Sequence, residues 1–257
     1  MSTIQQGQVT TSIENGIARI SFFHPQSNSL PGVLLRELAT AITAAGENND
    51  VKVIVLQSEG EKAFCAGASF DELVSIHDIE TGTYFFSGFA GVINAMRKVP
   101  KFVVVRVQGK AVGGGVGIAS AGDYTFAHSS ASVKLSELAV GIGPFVVGPA
   151  VERKIGTAAF SQLTIDAASW KDAAWAREKS LYAEVFETHE ELDAAVNKLA
   201  TTLAASNPEA MRMLKQIMWE GTGHWDELLP ERAGMSGKLV LSDFTRNAIG
   251  KFKQGAR

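Results

Sequence analysis

The sequence has few of the features that mark several large classes of protein. Cys65 is its one cysteine, which excludes an internal disulfide and is typical of a reducing compartment. The five histidines, at positions 24, 77, 128, 189 and 224, lack metal-ligand spacing, so we expect no metal site. Charge of one sign is not in excess either. The net charge of −3 argues against nucleic acid or an anionic membrane as the main partner.

Long apolar segments are also missing. The longest nearly apolar run, Leu138–Val151, has 14 residues, fewer than the roughly 20 that span a bilayer. The first residues, Met1–Gly7, are polar and carry no basic group, so we expect no signal peptide. With 257 residues, 46% of them hydrophobic, the chain has enough material for a large core. These features predict a soluble, cytoplasmic protein.

Strand and helix patterns alternate through the first three quarters of the chain. Residues 8–23 read as a hairpin around Asn15-Gly16, a strong two-residue turn signal. β-Branched runs predict further strands at Val51–Leu56 and Val103–Val107, with another over Asp123–Ala127. Apolar residues at helical spacing separate these strands. The alternation predicts an α/β fold with a mostly parallel sheet.

The pattern changes to helices alone from Glu190 onwards. We therefore divide the chain into a core with the active site, residues 1–189, and a helical oligomerisation lobe, residues 190–257. A small lobe would hardly cover its own large apolar side chains. The following are therefore expected to pack against a neighbouring subunit: Trp219, Trp225, Leu228 and Leu229.

A glycine-rich turn is the first candidate for a binding or catalytic site. The Val103–Val107 strand leads through Gly113, Gly114 and Gly115 into the small apolar segment Val116–Ala121, which reads as a buried helix. Free N–H groups at a helix start favour negative charge, so an oxyanion or a phosphate would be stabilised there. The glycines are equally compatible with a tight strand-to-helix turn and no ligand.

Two further segments stand out. Lys62–Ser69 is a loop of small residues after a strand and can offer more backbone N–H groups. Glu137 is a lone carboxylate in the apolar stretch Ala131–Val151. Such surroundings should raise its pKa and allow it to transfer protons near neutral pH. It is also possible for a glutamate in this position to cap a helix or to form an ion pair.

Four motifs in chain order resemble the crotonase (enoyl-CoA hydratase/isomerase) superfamily. The family's early Arg-Pro and Asn-Ala-Leu loop is matched by residues 24–30, His-Pro-Gln-Ser-Asn-Ser-Leu. Its Phe-x-Ala-Gly-Ala-Asp loop is matched by Phe64–Ser69, with Ser69 in place of Asp. Its Asn-Gly-x-Ala-x-Gly-Gly-Gly segment is matched by Gln108–Gly115. A looser match to its Thr-Gly to Gly-Leu-Val segment runs from Thr164 to Leu181.

This resemblance implies a crotonase-like superhelix of stacked ββα turns with a helical C-terminal lobe that forms trimers, often paired into hexamers. The implied substrate is a coenzyme A thioester, and the coenzyme belongs to the substrate, so no separate cofactor is expected. By carry-over from matching positions, the thioester oxygen lies between the N–H groups of Ala68 and Gly114. Glu137 matches a proton-transferring carboxylate of the family.

The resemblance also implies where the rest of the substrate is held. The adenine would lie against the Ala66–Phe70 segment, and a phosphate would meet Lys251 or Lys253, of this or a neighbouring subunit. The full set of expected substrate contacts is Ala66, Phe70, Gly115, Gly117, Pro144, Phe145, Lys251 and Lys253.

The departures from the family pattern leave the reaction open. Hydratases of this family typically hold one water between two glutamates; Glu137 matches the second, but Gly117 stands at the first. A single carboxylate suits the transfer of a proton from one carbon to another, as in Δ3,Δ2-enoyl-CoA isomerases. Hydration remains equally open because it is the family's commonest activity, and Glu72 or Asp71 is a candidate second carboxylate. The fold is also compatible with an acyl-CoA-binding protein without activity, a decarboxylase or a thioesterase.

Overall fold

The computed structural model describes residues 6–255, and the side chains of residues 6–251. Ten strands lie within this range: β1 (Gln8–Glu14), β2 (Ile17–Phe23), β3 (Val53–Ser58), β4 (Ala63–Cys65), β5 (Val103–Val107), β6 (Lys110–Val112), β7 (Tyr124–His128), β8 (Ser132–Lys134), β9 (Lys171–Asp172) and β10 (Glu184–Phe186).

Ten α-helices connect and cover these strands: α1 (Gly32–Glu47), α2 (Phe70–Ser75), α3 (Ile79–Lys98), α4 (Gly114–Ala121), α5 (Gly148–Ile165), α6 (Ala173–Glu178), α7 (His189–Ala204), α8 (Pro208–Met218), α9 (Trp225–Leu239) and α10 (Asp243–Gly255). No helix among the described residues is both long and apolar enough to cross a membrane.

A six-stranded sheet forms the larger layer, in the order β1-β2-β3-β5-β7-β10. The β1–β2 pair is antiparallel and the other pairs are parallel. The predicted hairpin is confirmed. Asn15 and Gly16 have φ of 51° and 79°, and the two-residue turn needs such positive values. The buried β-branched run of β5 has the predicted bounds, whereas β3 begins two residues later than predicted.

A smaller sheet, ordered β4-β6-β8-β9, lies beside the larger one. Along the chain a strand of the large sheet is followed by a strand of the small sheet and then by a helix. This order occurs in β3-β4-α2, β5-β6-α4 and β7-β8-α5. The predicted stack of ββα turns is therefore confirmed. The repeat brings the segments that follow β4, β6 and β8 to one edge of the small sheet.

The large sheet is covered on both faces. The main core fills the space between one face and helices α1, α3 and α4. On the other face, a second cluster joins Val53, Val55 and Val104 to Leu192 and Val196 of α7. Apolar side chains on both faces explain why these strands are continuous β-branched runs.

The prediction that a neighbouring subunit covers the tryptophans is wrong. Trp219, Trp225 and Leu229 are buried within the chain itself, and Leu228 is partly buried. The two indoles pack edge to face, with ring centroids 5.9 Å apart. The guanidinium of Arg153 lies 3.9 Å from the centroid of Trp219. Four exposed apolar side chains of the lobe lie together on α8, namely Met213, Leu214, Ile217 and Met218, and two more are exposed on α9 and α10, Met235 and Phe244.

A buried ion pair anchors α8 to the core. The ammonium group of Lys215 donates to the Asp123 carboxylate at 2.9 Å and to the carbonyl oxygens of Met96 and Lys101, both at 2.7 Å. The other carboxylate oxygen of Asp123 accepts from the indole N–H of Trp219 at 2.8 Å. All these groups are therefore satisfied, and removing the Lys215 ammonium leaves the Asp123 carboxylate without the cation that it bonds to.

Replacing Lys215 by Met is expected to lower the free energy of unfolding by about 3–5 kcal/mol, because Asp123 loses its counter-ion in a buried site. Urea unfolding measures the change. Lys198→Met, at an exposed position of α7, should change the value by less than about 0.5 kcal/mol. Equal effects of the two substitutions would contradict the anchoring role.

Candidate active site

One cleft opens at the edge where the segments after β4, β6 and β8 meet. About 610 Å³ of empty space lies in this cleft and in the solvent at its open mouth. Its floor comes from three segments: Ala66–Ala68, Val112–Gly114 and Ser136–Glu137. Side chains from α2, α3, α9 and the 142–147 segment form the walls: Phe70, Leu73, Phe86, Phe89, Ile142, Phe145, Val146, Val147 and Ser236. The cleft is therefore mostly apolar.

The glycine turn on the floor depends on the absence of side chains. Gly113 has a φ of 52°, which a residue with a Cβ rarely adopts. A Cβ on Gly114 would lie 2.0 Å from Cε1 of Phe89, and one on Gly115 would lie 2.6 Å from the carbonyl oxygen of Cys65. Tight packing thus requires both glycines. The Gly114 amide begins α4 and has no hydrogen-bond partner among the described residues, so it is free to bind an anion.

A second free amide lies on the neighbouring loop. The N–H of Leu30 donates to the Gly67 carbonyl at 2.7 Å, and the N–H of Ser69 donates to the Leu30 carbonyl at 3.1 Å. This parallel bridge leaves the amide of Ala68, the residue between them, on the opposite edge. A Cβ on Gly67 would lie 3.7 Å from the Gly114 nitrogen. The two amide-bearing segments are therefore neighbours in one cleft.

Glu137 supplies the carboxyl group of this cleft. It precedes the 3₁₀ turn Leu138–Val140 and makes no capping hydrogen bond. Its Oε1 lies 2.8 Å from the position of a Cβ on Gly113. Its Oε2 is buried without a hydrogen-bond partner among the described residues, although the residue as a whole is partly exposed. Capping and ion pairing are thus both absent within that range.

Burial sets the chemistry of this group. Desolvation raises the pKa of Glu137 to about 7, and the residue's own backbone N–H opposes the rise only in part. A carboxyl with such a pKa exists in both protonation states near neutral pH, so it can accept a proton and return it.

The two candidate second carboxylates do not enter the cleft. Glu72 Oε2 accepts from the Gly32 N–H at 2.7 Å, and Asp71 Oδ2 accepts from Gln26 Nε2 at 3.0 Å. Neither residue lines the cleft. Among the cleft-lining residues that the structure describes, Glu137 carries the one carboxyl group. The hypothesis that Glu72 or Asp71 replaces the missing glutamate is therefore not supported by the geometry.

Gly117 is a further difference from a two-carboxylate site. A Cβ on Gly117 would lie 2.5 Å from Cγ1 of Val147. The isopropyl group of Val147 thus occupies the space beside α4 into which a side chain at position 117 would project. This wall of the cleft is apolar.

Comparison with known proteins identifies the family. The family model described as enoyl-CoA hydratase/isomerase matches residues 12–234. The chain belongs to this family. Rat mitochondrial methylglutaconyl-CoA hydratase is 35% identical over 198 residues, which are 76% of this chain but 62% of the rat protein. The short-chain-enoyl-CoA hydratase of Clostridium acetobutylicum is 29% identical over 210 residues, covering 81% of this chain and 79% of the relative.

A solved structure agrees in fold. The enoyl-CoA hydratase from Bacillus halodurans superimposes with a TM-score of 0.87 at 21% identity, over 95% of this chain and 99% of the other. That match supports the shared fold alone, because so low an identity does not carry an activity from one chain to another.

Most of the expected family contacts lie together. Ala66, Phe70, Pro144 and Phe145 line the cleft with Ala68, Gly114 and Glu137. Gly115 and Gly117 do not line it; they lie in buried α4, where their role is close packing. Lys251 is exposed on α10 and is not a lining residue, and the side chain of Lys253 is outside the described residues. Sequence reasoning did not identify Ser236, on the distant helix α9.

From the raised pKa of Glu137 we predict how the free energy of unfolding depends on pH. The folded state holds this proton until about pH 7, whereas the unfolded chain releases it near pH 4.5, so the wild type loses stability as pH rises between these values. Glu137→Gln removes this loss. Its free energy of unfolding relative to wild type should therefore increase from pH 4.5 to pH 8, by up to about 3 kcal/mol.

Urea unfolding at both pH values measures this difference. Glu47→Gln, at an exposed position, is the matched control and should show no such change. A difference between wild type and Glu137→Gln that is independent of pH would show that the carboxyl titrates as it does in the unfolded chain.

Proposed function

We propose that the protein moves the double bond of an enoyl-CoA thioester from position 3 to position 2. The observation that carries this proposal is Glu137, the one carboxyl group among the described residues that line the cleft, beside two free backbone amides. Charge that develops on a thioester oxygen is stabilised by such preorganised donors. A carboxyl with a pKa of about 7 is suited to take and return one proton.

The reaction needs no group beyond these three. The N–H groups of Ala68 and Gly114 donate to the thioester oxygen. The Glu137 carboxylate takes a proton from C2 of the 3-enoyl group, and the electron pair of that C–H bond forms a dienolate whose charge rests on the oxygen. The protonated Glu137 then returns the proton to C4, and the double bond remains between C2 and C3. Atoms and charge balance, and the enzyme is regenerated.

Hydration of a 2-enoyl-CoA is the second candidate, because the relatives from rat and Clostridium are named hydratases. Water must then be held and activated while a proton is delivered to C2. Here one carboxyl would have to perform both tasks, and Val147 presents an apolar wall beside Gly117. The geometry therefore favours proton transfer between carbons.

Parallel assays with trans-3-hexenoyl-CoA and with crotonyl-CoA separate the two reactions. We expect kcat/KM for isomerisation to exceed that for hydration by at least about tenfold. The rate should rise with pH through about 7, since the base must be ionised before it accepts a proton. Glu137→Gln should lower isomerisation by at least about 100-fold, because it removes the base.

Glu47→Gln should retain the wild-type rate. Faster hydration of crotonyl-CoA would instead favour the hydratase function. Tight binding of both thioesters without turnover would indicate an acyl-CoA-binding protein without activity.

The protein is also proposed to assemble as a homotrimer, with pairing into a hexamer as a further step. Four exposed apolar side chains on one face of α8 support self-association: Met213, Leu214, Ile217 and Met218. An apolar surface of this kind, rimmed by polar residues, is typical of an interface between proteins.

Ile217→Glu is expected to shift the molecular mass, measured by light scattering after size exclusion, from that of an oligomer to that of a monomer. Burying the new carboxylate between subunits would be unfavourable. Ile165→Glu, on the exposed face of α5, is the matched control and should leave the mass unchanged. A monomeric wild type would rule out the trimer.

A further inference from the structure

The far wall of the cleft carries a hydroxyl group that bonds to none of the described residues. Ser236 of α9 lines the cleft and is 2% exposed. Serine in a helix often bonds to the carbonyl oxygen of the residue four positions earlier. No hydrogen bond of the Ser236 side chain, to Arg232 or to any other described residue, is present. The Oγ atom is not one of the fully enclosed side-chain atoms that lack a partner, so a molecule in the cleft can reach it.

Packing between two helices holds Ser236 in place. A Cβ on Gly82 of α3 would lie 2.8 Å from the Cα of Gly237, and a Cβ on Gly237 would lie 2.6 Å from the backbone nitrogen of Thr83. Backbones this close prevent α9 from sliding or turning against α3. The position of the Ser236 hydroxyl is therefore preorganised by the fold.

The surroundings of this hydroxyl are apolar. The cleft is lined by apolar side chains of α2 and α3, namely Leu73, Phe86 and Phe89, and of the 142–147 segment, namely Ile142, Val146 and Val147. Among the described side chains that line the cleft, the polar ones are Ser136, Glu137 and Ser236. Ser136 and Glu137 are adjacent in the chain, so Ser236 is the polar side chain that the helical walls contribute. A hydroxyl in apolar surroundings favours substrates that bear a hydrogen-bonding group, because a substrate without such a group leaves the hydroxyl unpaired.

A positive charge lies on the helix that carries Ser236. Arg232 is one turn before Ser236 on α9, and its Nη1 donates to the carbonyl oxygen of Phe145 at 3.3 Å. Its guanidinium has no carboxylate within 4 Å among the described residues. The helix that carries Ser236 thus also carries a positive charge, which attracts groups of negative charge.

We propose that Ser236 determines specificity by hydrogen bonding to an oxygen atom on the acyl chain, so that the substrate is an acyl-CoA whose chain bears a hydroxyl or carboxylate group. This inference rests on the proposed function, because it assumes that the cleft holds an acyl-CoA. Glu137 and the two amides act at the thioester end, and Ser236 recognises the chain.

Equilibrium binding of unreactive saturated thioesters tests the inference without turnover. Calorimetry would compare acyl-CoAs of four to six carbons that end in a methyl, a hydroxyl or a carboxylate group. At one chain length, the wild type should bind an oxygen-ended thioester at least about tenfold more tightly than the methyl-ended one. Comparison of the hydroxyl-ended with the carboxylate-ended thioester shows which of the two groups is recognised.

Ser236→Ala should lose this preference and bind the methyl-ended thioester as well as the wild type does or better. Met235→Ala, at an exposed position of the same helix, should retain the preference. Equal binding of all ends by the wild type, or a preference that survives in Ser236→Ala, would overturn the inference but leave the proposed function intact. Failure to bind any thioester would overturn both.

Discussion

The site depends on one constraint, the burial of the Glu137 carboxyl against the glycine turn at Gly113. The N–H of Gly113 donates to the carbonyl oxygen of Lys134 at 2.8 Å, which ties the turn to the end of β8. Glu137 follows three residues later, and its Oε1 lies where a side chain on residue 113 would be. The positive φ of Gly113 and the position of the acid are therefore parts of one arrangement. A residue with a Cβ there would strain the turn and displace the carboxyl.

Close packing behind the cleft explains why small residues recur along α4. Phe89 fills the space beside Gly114, Cys65 that beside Gly115, and Val147 that beside Gly117. Each contact brings another element against the start of the helix, so that the free Gly114 amide is held rigidly. The same packing excludes a side chain from position 117. Rigidity around the Gly114 amide and the lack of a second carboxyl among the described lining residues thus have a common structural origin.

Features encoded in contiguous residues could be predicted, and features that depend on distant contacts could not. The β-branched run of β5 and the Asn15-Gly16 turn are local signals, and both have the expected structure. The small sheet was missed, because strands such as Ala63–Cys65 are too short for alternation to be seen. The lone position of Glu137 in an apolar stretch was visible, but its lack of partners required the fold.

The residues that form the walls of the cleft could not be predicted from the sequence either. Phe85 and Phe89 lie on one periodic face of α3, yet Phe89 lines the cleft and Phe85 packs in the core. Periodicity separates a buried face from an exposed one, but it cannot separate a cavity wall from a packed interior. The error over Trp219 and Trp225 has a related cause. Arg153, far away in the chain, stacks on Trp219 and provides cover that the helical lobe alone does not.

The balance of polar groups in the cleft connects these observations to the reaction. Two amides and one carboxyl are sufficient to stabilise an enolate and to move one proton, but they do not hold a separate water between two acids. Burial in a mostly apolar cleft raises the pKa of Glu137, and no cation lies among the described residues that line this cleft to favour ionisation. The missing second carboxyl and the raised pKa of the first therefore support the same chemistry. For the proposed double-bond migration, a base that titrates near neutral pH would take a proton from C2 more readily than an ordinary, more acidic carboxyl, and it would still return that proton to C4.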